Sequence, residues 1–256
     1  MTASVIYTRN RGDGEGGGFE YLTATWAELE PTWASRVEPH ATLAPAVLID
    51  VSERSADESA DDERAVRTIV GGDVLVRTFD AEVSTFGGNK HAYWAAIQLA
   101  LEQSADDLLI LEDDLSFCGN GFLRMLTFPI PVDLDWVSFF GPHILLHGRA
   151  WAGLWRTPAP SFGTLAIKFR RAPLQKILAW SRSSPDFGRF KVNDQALDLC
   201  RKDLGLRWAL HVPELVEHTG VKSTQGDSMS DNRRAQSWPG PRFDALSLYS
   251  RHDLFL

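Results

Sequence analysis

The chain is 256 residues long, 44% hydrophobic and 23% charged, which excludes a disordered chain and allows a sizeable core. Its formal net charge of -8 argues against a broad basic surface for nucleic acid, leaving a local groove at most and nucleic acid a place only as an acceptor. No apolar run approaches the roughly 18–20 residues that span a bilayer, and the first ten residues lack the regions of a signal peptide. Two cysteines, Cys118 and Cys200, have neither metal-ligand spacing nor a disulfide framework, and predict free thiols in a reducing cytoplasm.

Residues 4–8 (SVIYT) form a short β-rich run closed by a polar, glycine-rich loop at 9–18. Leu22, Trp26 and Leu29 recur at i, i+4 and i+7 and predict a helix over 19–29. Residues 46–51 (AVLIDV) predict a second, buried strand. The acidic, serine-rich stretch 52–64 reads as a solvated loop or an exposed helix start, and 73–79 (DVLVRTF) as a third strand. Gly87 and Gly88 precede a helix over 89–104 whose buried stripe is Tyr93, Ala96, Ile97, Ala100 and Leu101. The run 108–111 (LLIL) is too short for a helix and suits a central parallel strand.

Further on, strands are expected at 136–140 and 165–169 and helices at 173–181 and 194–204. The last helix carries Ala196, Leu197, Cys200 and Leu204 on one face, with Gly205 as its stop. A final strand at 206–212 leads into Pro213 and a polar tail. Strands alternating with helices predict an α/β fold with a mostly parallel central sheet flanked by helices. With no internal repeat and no clear linker, residues 1–256 read as a single domain.

The strongest local signal is the strand 108–111 ending abruptly in Glu112, Asp113 and Asp114. Open α/β sheets bind ligands at their carboxyl edge, and three adjacent acids there repel one another unless a cation neutralises them. Carboxylate oxygens suit Mg²⁺ or Mn²⁺, which bridge protein to substrate phosphates. A solvated acidic loop is the plainer use of such a triplet.

The stretch 87–115, which includes YWAAIQLALEQSADDLLILEDDL, resembles the donor-binding half of GT-A glycosyltransferases, especially bacterial enzymes of the glycosyltransferase family 25 kind. The resemblance implies a GT-A, Rossmann-like nucleotide-diphospho-sugar transferase fold. Residues 1–115 would be its nucleotide-sugar half and 116–256 its acceptor and catalytic half. It makes residues 112–114 a DXD-type motif, with Asp114 on the metal, Glu112 facing the ribose or the metal, and Asp113 among the donor-binding residues. Ser161-Phe162-Gly163-Thr164 resembles the glycine loop near the donor sugar. Val192-Asn193-Asp194 resembles the "xED" motif, whose final acid is the base of inverting members; Asn193 departs from its glutamate. Pro213 to Gly220 (PELVEHTG), with Ser223 and Thr224, resembles the family's "P-x-L-V-x-H-x-G-x-x-S" ending, whose histidine, His218, completes the metal site. Thr8, Arg9 and Asn10 would touch the base and ribose, and Asn89 and Lys90 the diphosphate, although a helix cap and a surface lysine explain the latter two equally well. The implied activity moves a sugar from a nucleotide-sugar, expected to be a UDP-sugar, to an acceptor hydroxyl with inversion. The acceptor is open between a glycan, a lipid-linked sugar, a protein and modified DNA.

Other patterns carry less. Gly12-Asp13-Gly14-Glu15-Gly16-Gly17 fits G-x-G-x-x-G, but two acids inside the loop would repel a pyrophosphate, and Asp50 lies beyond the usual spacing. His143 and His147 are four apart, yet the flanking Gly141, Pro142 and Gly148 leave little helix to align them. Trp151 and Trp155, expected in a loop, could stack on a sugar or pack in the core. Asp194 on its own could equally serve the helix end, and His218 could be an ordinary histidine. The rival functions are a metal-dependent nucleotidyltransferase or nuclease, and a non-catalytic nucleotide-sugar-binding module.

Overall fold

The structure is a computed structural model describing residues 2–10, 18–34, 45–52, 54–71, 74–80, 88–141, 153–156, 163–190, 192–219 and 238–249. Its first half alternates strand and helix: β1 (Thr2–Arg9), α1 (Glu20–Ala34), β2 (Ala46–Asp50), α2 (Ala56–Val70), β3 (Leu75–Phe79), α3 (Gly88–Glu102) and β4 (Asp107–Glu112). The second half runs β5 (Leu115–Phe117), α4 (Gly121–Thr127), β6 (Trp136–Ser138), β7 (Gly153–Arg156), β8 (Ala166–Arg170), α5 (Arg171–Ser183), α6 (Asn193–Leu204), β9 (Trp208–Val212) and β10 (Val216–His218).

Among the described residues, eight strands form one sheet in the order β3-β2-β1-β4-β8-β6-β9-β7. β3, β2, β1 and β4 are parallel, as the sequence leads one to expect. β8 then lies antiparallel between β4 and β6, and β7 antiparallel to β9, so the far half is mixed. The register puts Arg9, Asp50 and Phe79 side by side and sets Glu112 beside Tyr7, so the first four strands end at one edge. Because β8 runs the other way and pairs Ala166 with Leu111, the residues just before it reach that same edge.

The two-residue period of the strands sends alternate side chains to opposite faces. Ile6, Leu109 and Leu111 pack on one side with Leu22, Trp26 and Val66. Val5, Tyr7, Leu108 and Ile110 pack on the other with Tyr93, Ile97, Leu174 and Leu197. Helices thus cover both faces, which is why LLIL is apolar throughout.

Of the two readings of 52–64, the exposed helix start is the one present: Ser55 caps α2 through a reciprocal capping box with Glu58, and the helix buries Asp62, Val66 and Val70. Two local expectations change. Trp155 stands half-buried in β7 rather than in a loop. The short elements β5, β10 and α4 are additions. The stop at Gly205 is present, with φ +64° and its N–H turned back to the Lys202 carbonyl. Residues 12–17, His143, His147, Trp151, Ser161, Phe162, Gly220, Ser223 and Thr224 lie outside the described residues.

Candidate functional site

The acids leaving β4 take different directions because the strand's alternation continues into them. Glu112 follows Leu108 and Ile110, and so meets Tyr7, its partner in the parallel ladder. The Tyr7 hydroxyl donates to Glu112 Oε1, and Thr164 Oγ1 lies 3.4 Å from the same oxygen. Asp113 follows Leu109 and Leu111 to the opposite face, where Thr8 Oγ1 donates to its Oδ2 at 2.6 Å. Thr8 and Asp113 are 2% and 3% exposed, so this pair is buried just beneath the edge.

Asp114 lies past the strand end. Its Oδ2 sits 3.0 Å from His218 Nε2, joining residues 104 apart in sequence. The small antiparallel pair β5 and β10 makes that contact, with Leu115 opposite His218 and the Thr219 N–H donating to the Asp114 carbonyl at 2.9 Å. Two cis ligands each ~2.1 Å from one octahedral ion are themselves about 3 Å apart, so the spacing of this carboxylate and imidazole is that of two ligands of a single divalent cation. Among the described residues no three His, Cys, Asp or Glu side chains converge on one point. Of the expected set Glu112, Asp114 and His218, therefore, the last two form the pair, and Glu112 is turned to Tyr7 and Thr164.

Electrostatics follow from the crowding. Burial, and then the Asp114 carboxylate, push the Glu112 carboxyl up to about 7, against the Tyr7 hydrogen bond and His218, which pull it down. Burial and the same glutamate raise the Tyr7 phenol well above its ordinary value. Carboxylates this close to one another resist joint ionisation until positive charge arrives, which is the electrostatic setting of a cation site.

Across the edge stands Asp194, in the first turn of α6. Val192 occupies the cap position, and no side chain caps the helix. The Asp194 carboxylate reaches away from its own helix instead, and Oδ2 accepts the Gly163 N–H at 3.2 Å. Gly163 has φ +81°, a backbone state that a side chain would strain. Gly163 and Thr164 thereby link the two acids: one touches Asp194, the next touches Glu112. The departure at Asn193 is buried, 2% exposed, beside the half-buried Asp194.

The remaining expected residues are placed as follows. Arg9 is half-buried at the end of β1. Asn10 Nδ2 donates to Asp62 at 2.5 Å, and Arg54 Nε holds the other oxygen of Asp62 at 3.0 Å, so Asn10 is tied to α2. A Cβ on Gly18, where φ is +89°, would collide with the Asn10 side chain. Asn89 and Lys90 fall in the first turn of α3, but their side chains are outside the described residues. Sequence reasoning missed Tyr7, which the shared face of Val5 and Tyr7 could have flagged. It also missed Thr25 and Glu28 of α1, which no local signal marks.

No protein-family model matches the chain, and no curated protein matches it in sequence. Solved structures that overlap it include the galactosyltransferase LgtC in complex with donor and acceptor sugar analogs, at 13% identity over 81% of this chain and 72% of that one, TM-score 0.45. Another is a Drosophila β-1,4-galactosyltransferase 7 mutant in complex with manganese, UDP-Gal and xylobiose, at 10% identity over 98% of this chain and 80% of that one, TM-score 0.43. A third is a CMP:2-keto-3-deoxy-manno-octonic acid synthetase complexed with CTP, at 12% identity over 82% of this chain and 88% of that one, TM-score 0.47. Overlaps of this size add nothing to the chemistry of the edge, which stands on its own geometry. Among the described residues, no helix is long and apolar enough to cross a membrane, and both cysteines are buried free thiols.

Proposed function

We propose that this chain is a divalent-metal-dependent glycosyltransferase of the GT-A type. It would act as one domain in the cytoplasm, moving a sugar from a UDP-sugar to an acceptor hydroxyl with inversion. The observation that carries the reading is the pairing of Asp114 with His218 at 3.0 Å on the same sheet edge as Asp194.

In this reading Asp114 and His218 would hold Mn²⁺ or Mg²⁺, which would supply positive charge to offset that on the departing nucleoside diphosphate. Glu112, fixed by Tyr7 and Thr164, presents a carboxyl to the donor's ribose or sugar hydroxyls. Gly163 and Thr164 bring backbone close to the transferred sugar. Asp194 accepts the proton of the acceptor hydroxyl as that oxygen attacks the anomeric carbon, and the Gly163 N–H keeps its carboxylate oriented. A single displacement of this kind inverts the anomeric centre.

The test is incubation of the purified protein with a panel of nucleotide-sugars and Mn²⁺, with thermal-shift measurement of donor binding. Release of nucleoside diphosphate and free sugar, and stabilisation by UDP only when Mn²⁺ is present, are expected. Pyrophosphate release from a nucleoside triphosphate would assign the same carboxylates to nucleotidyl transfer. Stabilisation by donor with no turnover on any acceptor would make the chain a binding module.

A further inference from the structure

Thr25 sits on the apolar stripe of α1, between Leu22, Trp26 and Leu29, and is completely buried. A buried threonine in a helix commonly bonds the carbonyl four residues back, as Thr23 does here with Phe19 at 2.9 Å. Thr25 reaches out of its helix instead. Its hydroxyl proton is shared between the Asp113 carbonyl at 2.6 Å and the Leu115 carbonyl at 2.9 Å, and its oxygen accepts the Leu115 N–H at 3.1 Å. One turn further along α1, Glu28 Oε2 accepts the Phe117 N–H at 2.6 Å, and Oε1 accepts the Ser116 hydroxyl at 3.1 Å.

These contacts have a pattern. In β5 the Leu115 and Phe117 N–H groups face away from β10, while the Asp114 carbonyl and Cys118 N–H face toward it and bond Thr219 and Leu215. The strand therefore has one edge paired with β10, and the other filled by two side chains of α1 spaced to meet alternate residues. Asp114 leaves the backbone between these two supports, one residue from each Thr25 contact. The three-residue strand that fixes the metal pair is too short to fix itself.

We infer that Thr25, assisted by Glu28, is the positioning residue for Asp114: α1 replaces the missing neighbour strand of β5 and aims the Asp114 carboxylate at the point where His218 meets it. This rests on the metal-dependent reading above for its consequence, but not for its geometry. Ligand constellations tolerate errors of only about 0.5 Å before affinity suffers, so loosening this support should weaken cation binding without removing a ligand.

The experiment uses the full chain with Thr25→Val, which keeps shape and loses both hydrogen-bonding roles, and Thr25→Ser, which keeps them. Amide hydrogen exchange by NMR and Mn²⁺ affinity by electron paramagnetic resonance, with Mn²⁺ alone and with added UDP, are compared with wild type. The valine variant should exchange about fivefold to tenfold faster at the Leu115 and Thr219 amides than at the core amides of β4, the equivalent of about one net hydrogen bond. It should bind Mn²⁺ about tenfold more weakly, and serine should restore both. A uniform rise in exchange, with the affinity of the folded protein unchanged, would reduce Thr25 to an ordinary core residue and overturn the inference. Faster exchange at Leu115 with unchanged Mn²⁺ affinity would overturn the link to the cation. A wild-type protein that binds no Mn²⁺ with or without UDP would instead sink the metal reading itself, and the positioning role with it, while the exchange data would still report whether α1 braces β5.

Discussion

Replacing Asp194 by asparagine separates a base from a structural acid with unusual clarity, because the structure bounds the structural effect in advance. Among the described residues the carboxylate makes one hydrogen bond, Oδ2 accepting the Gly163 N–H at 3.2 Å, and it caps no helix. Asparagine retains an oxygen to accept that bond and loses only its charge assistance, worth about 1 kcal/mol. Loss of a first-turn negative charge adds about 0.3–1 kcal/mol. The stability cost is therefore about 1–2 kcal/mol, a fall in Tm of about 2–8 °C for a chain of this size. Loss of general-base catalysis lowers turnover by about 10²–10⁴, equivalent to about 3–5 kcal/mol on the barrier. Single-turnover transfer by the folded variant, with donor affinity measured in parallel by calorimetry, reads the two effects separately. Donor affinity should hold within about threefold, since Asp114 and His218 are untouched. Transfer within threefold of the wild-type rate would refute the assignment, and place the proton acceptor elsewhere on the edge.

Asp114→Asn should leave the fold intact and abolish the Mn²⁺-dependent part of UDP affinity, with His218→Ala producing a smaller loss of the same kind; calorimetry with and without Mn²⁺ checks both. His211 is fully buried and burial drives its pKa down from 6.5 to about 4, so the unfolded chain binds the proton first. Stability from this group is complete above pH 6.5 and is lost as pH falls through about 4, amounting to about 3 kcal/mol. Urea unfolding of His211→Gln should show a flatter acid limb between these pH values; an unchanged slope would absolve the histidine. Lys168, 2% exposed, donates to the Leu126 and Phe128 carbonyls at 2.8 Å each, closing the end of α4. Lys168→Met removes the ammonium donor from both carbonyls, leaving Thr2 Oγ1 on that of Leu126 at 2.9 Å, and should cost about 1–3 kcal/mol by urea denaturation, with Mn²⁺ affinity of the folded protein unchanged.

The parts of this molecule readable in its sequence are those whose pattern is long enough to have a period. LLIL in β4, the stripe of α3 and the stop at Gly205 all lie where periodicity and turn chemistry put them. The capping box of α2 was also present as Ser55 and Glu58, but the acidic composition around it obscured a helix extending to Val70. Strands of three or four residues, such as β5, β7 and β10, hold too few side chains for any alternation to register. The antiparallel course of β8 is set by its partners and has no signature of its own. At the edge, residue types gave the cluster but not its division of labour. That Asp113 turns to Thr8 and Glu112 to Tyr7 follows from alternation once the strand's exit point is known. Thr25 was invisible because its partners lie 88 and 90 residues away.

The contact between Asp114 and His218 spans 104 residues. Closure of so long a loop is slow, since its entropy is lost before any contact rewards it. A chain emerging from the ribosome can dock β1 to β4 early, because those strands and their crossovers are finished within the first 112 residues. It cannot assemble the Asp114–His218 pair until β10 has been made. On the proposed metal-dependent reading, competence to hold the ion is thus a late event in the life of each molecule, and a nascent chain carrying only the parallel half would pair Glu112 with Tyr7 and Asp113 with Thr8 while Asp114 still lacked His218.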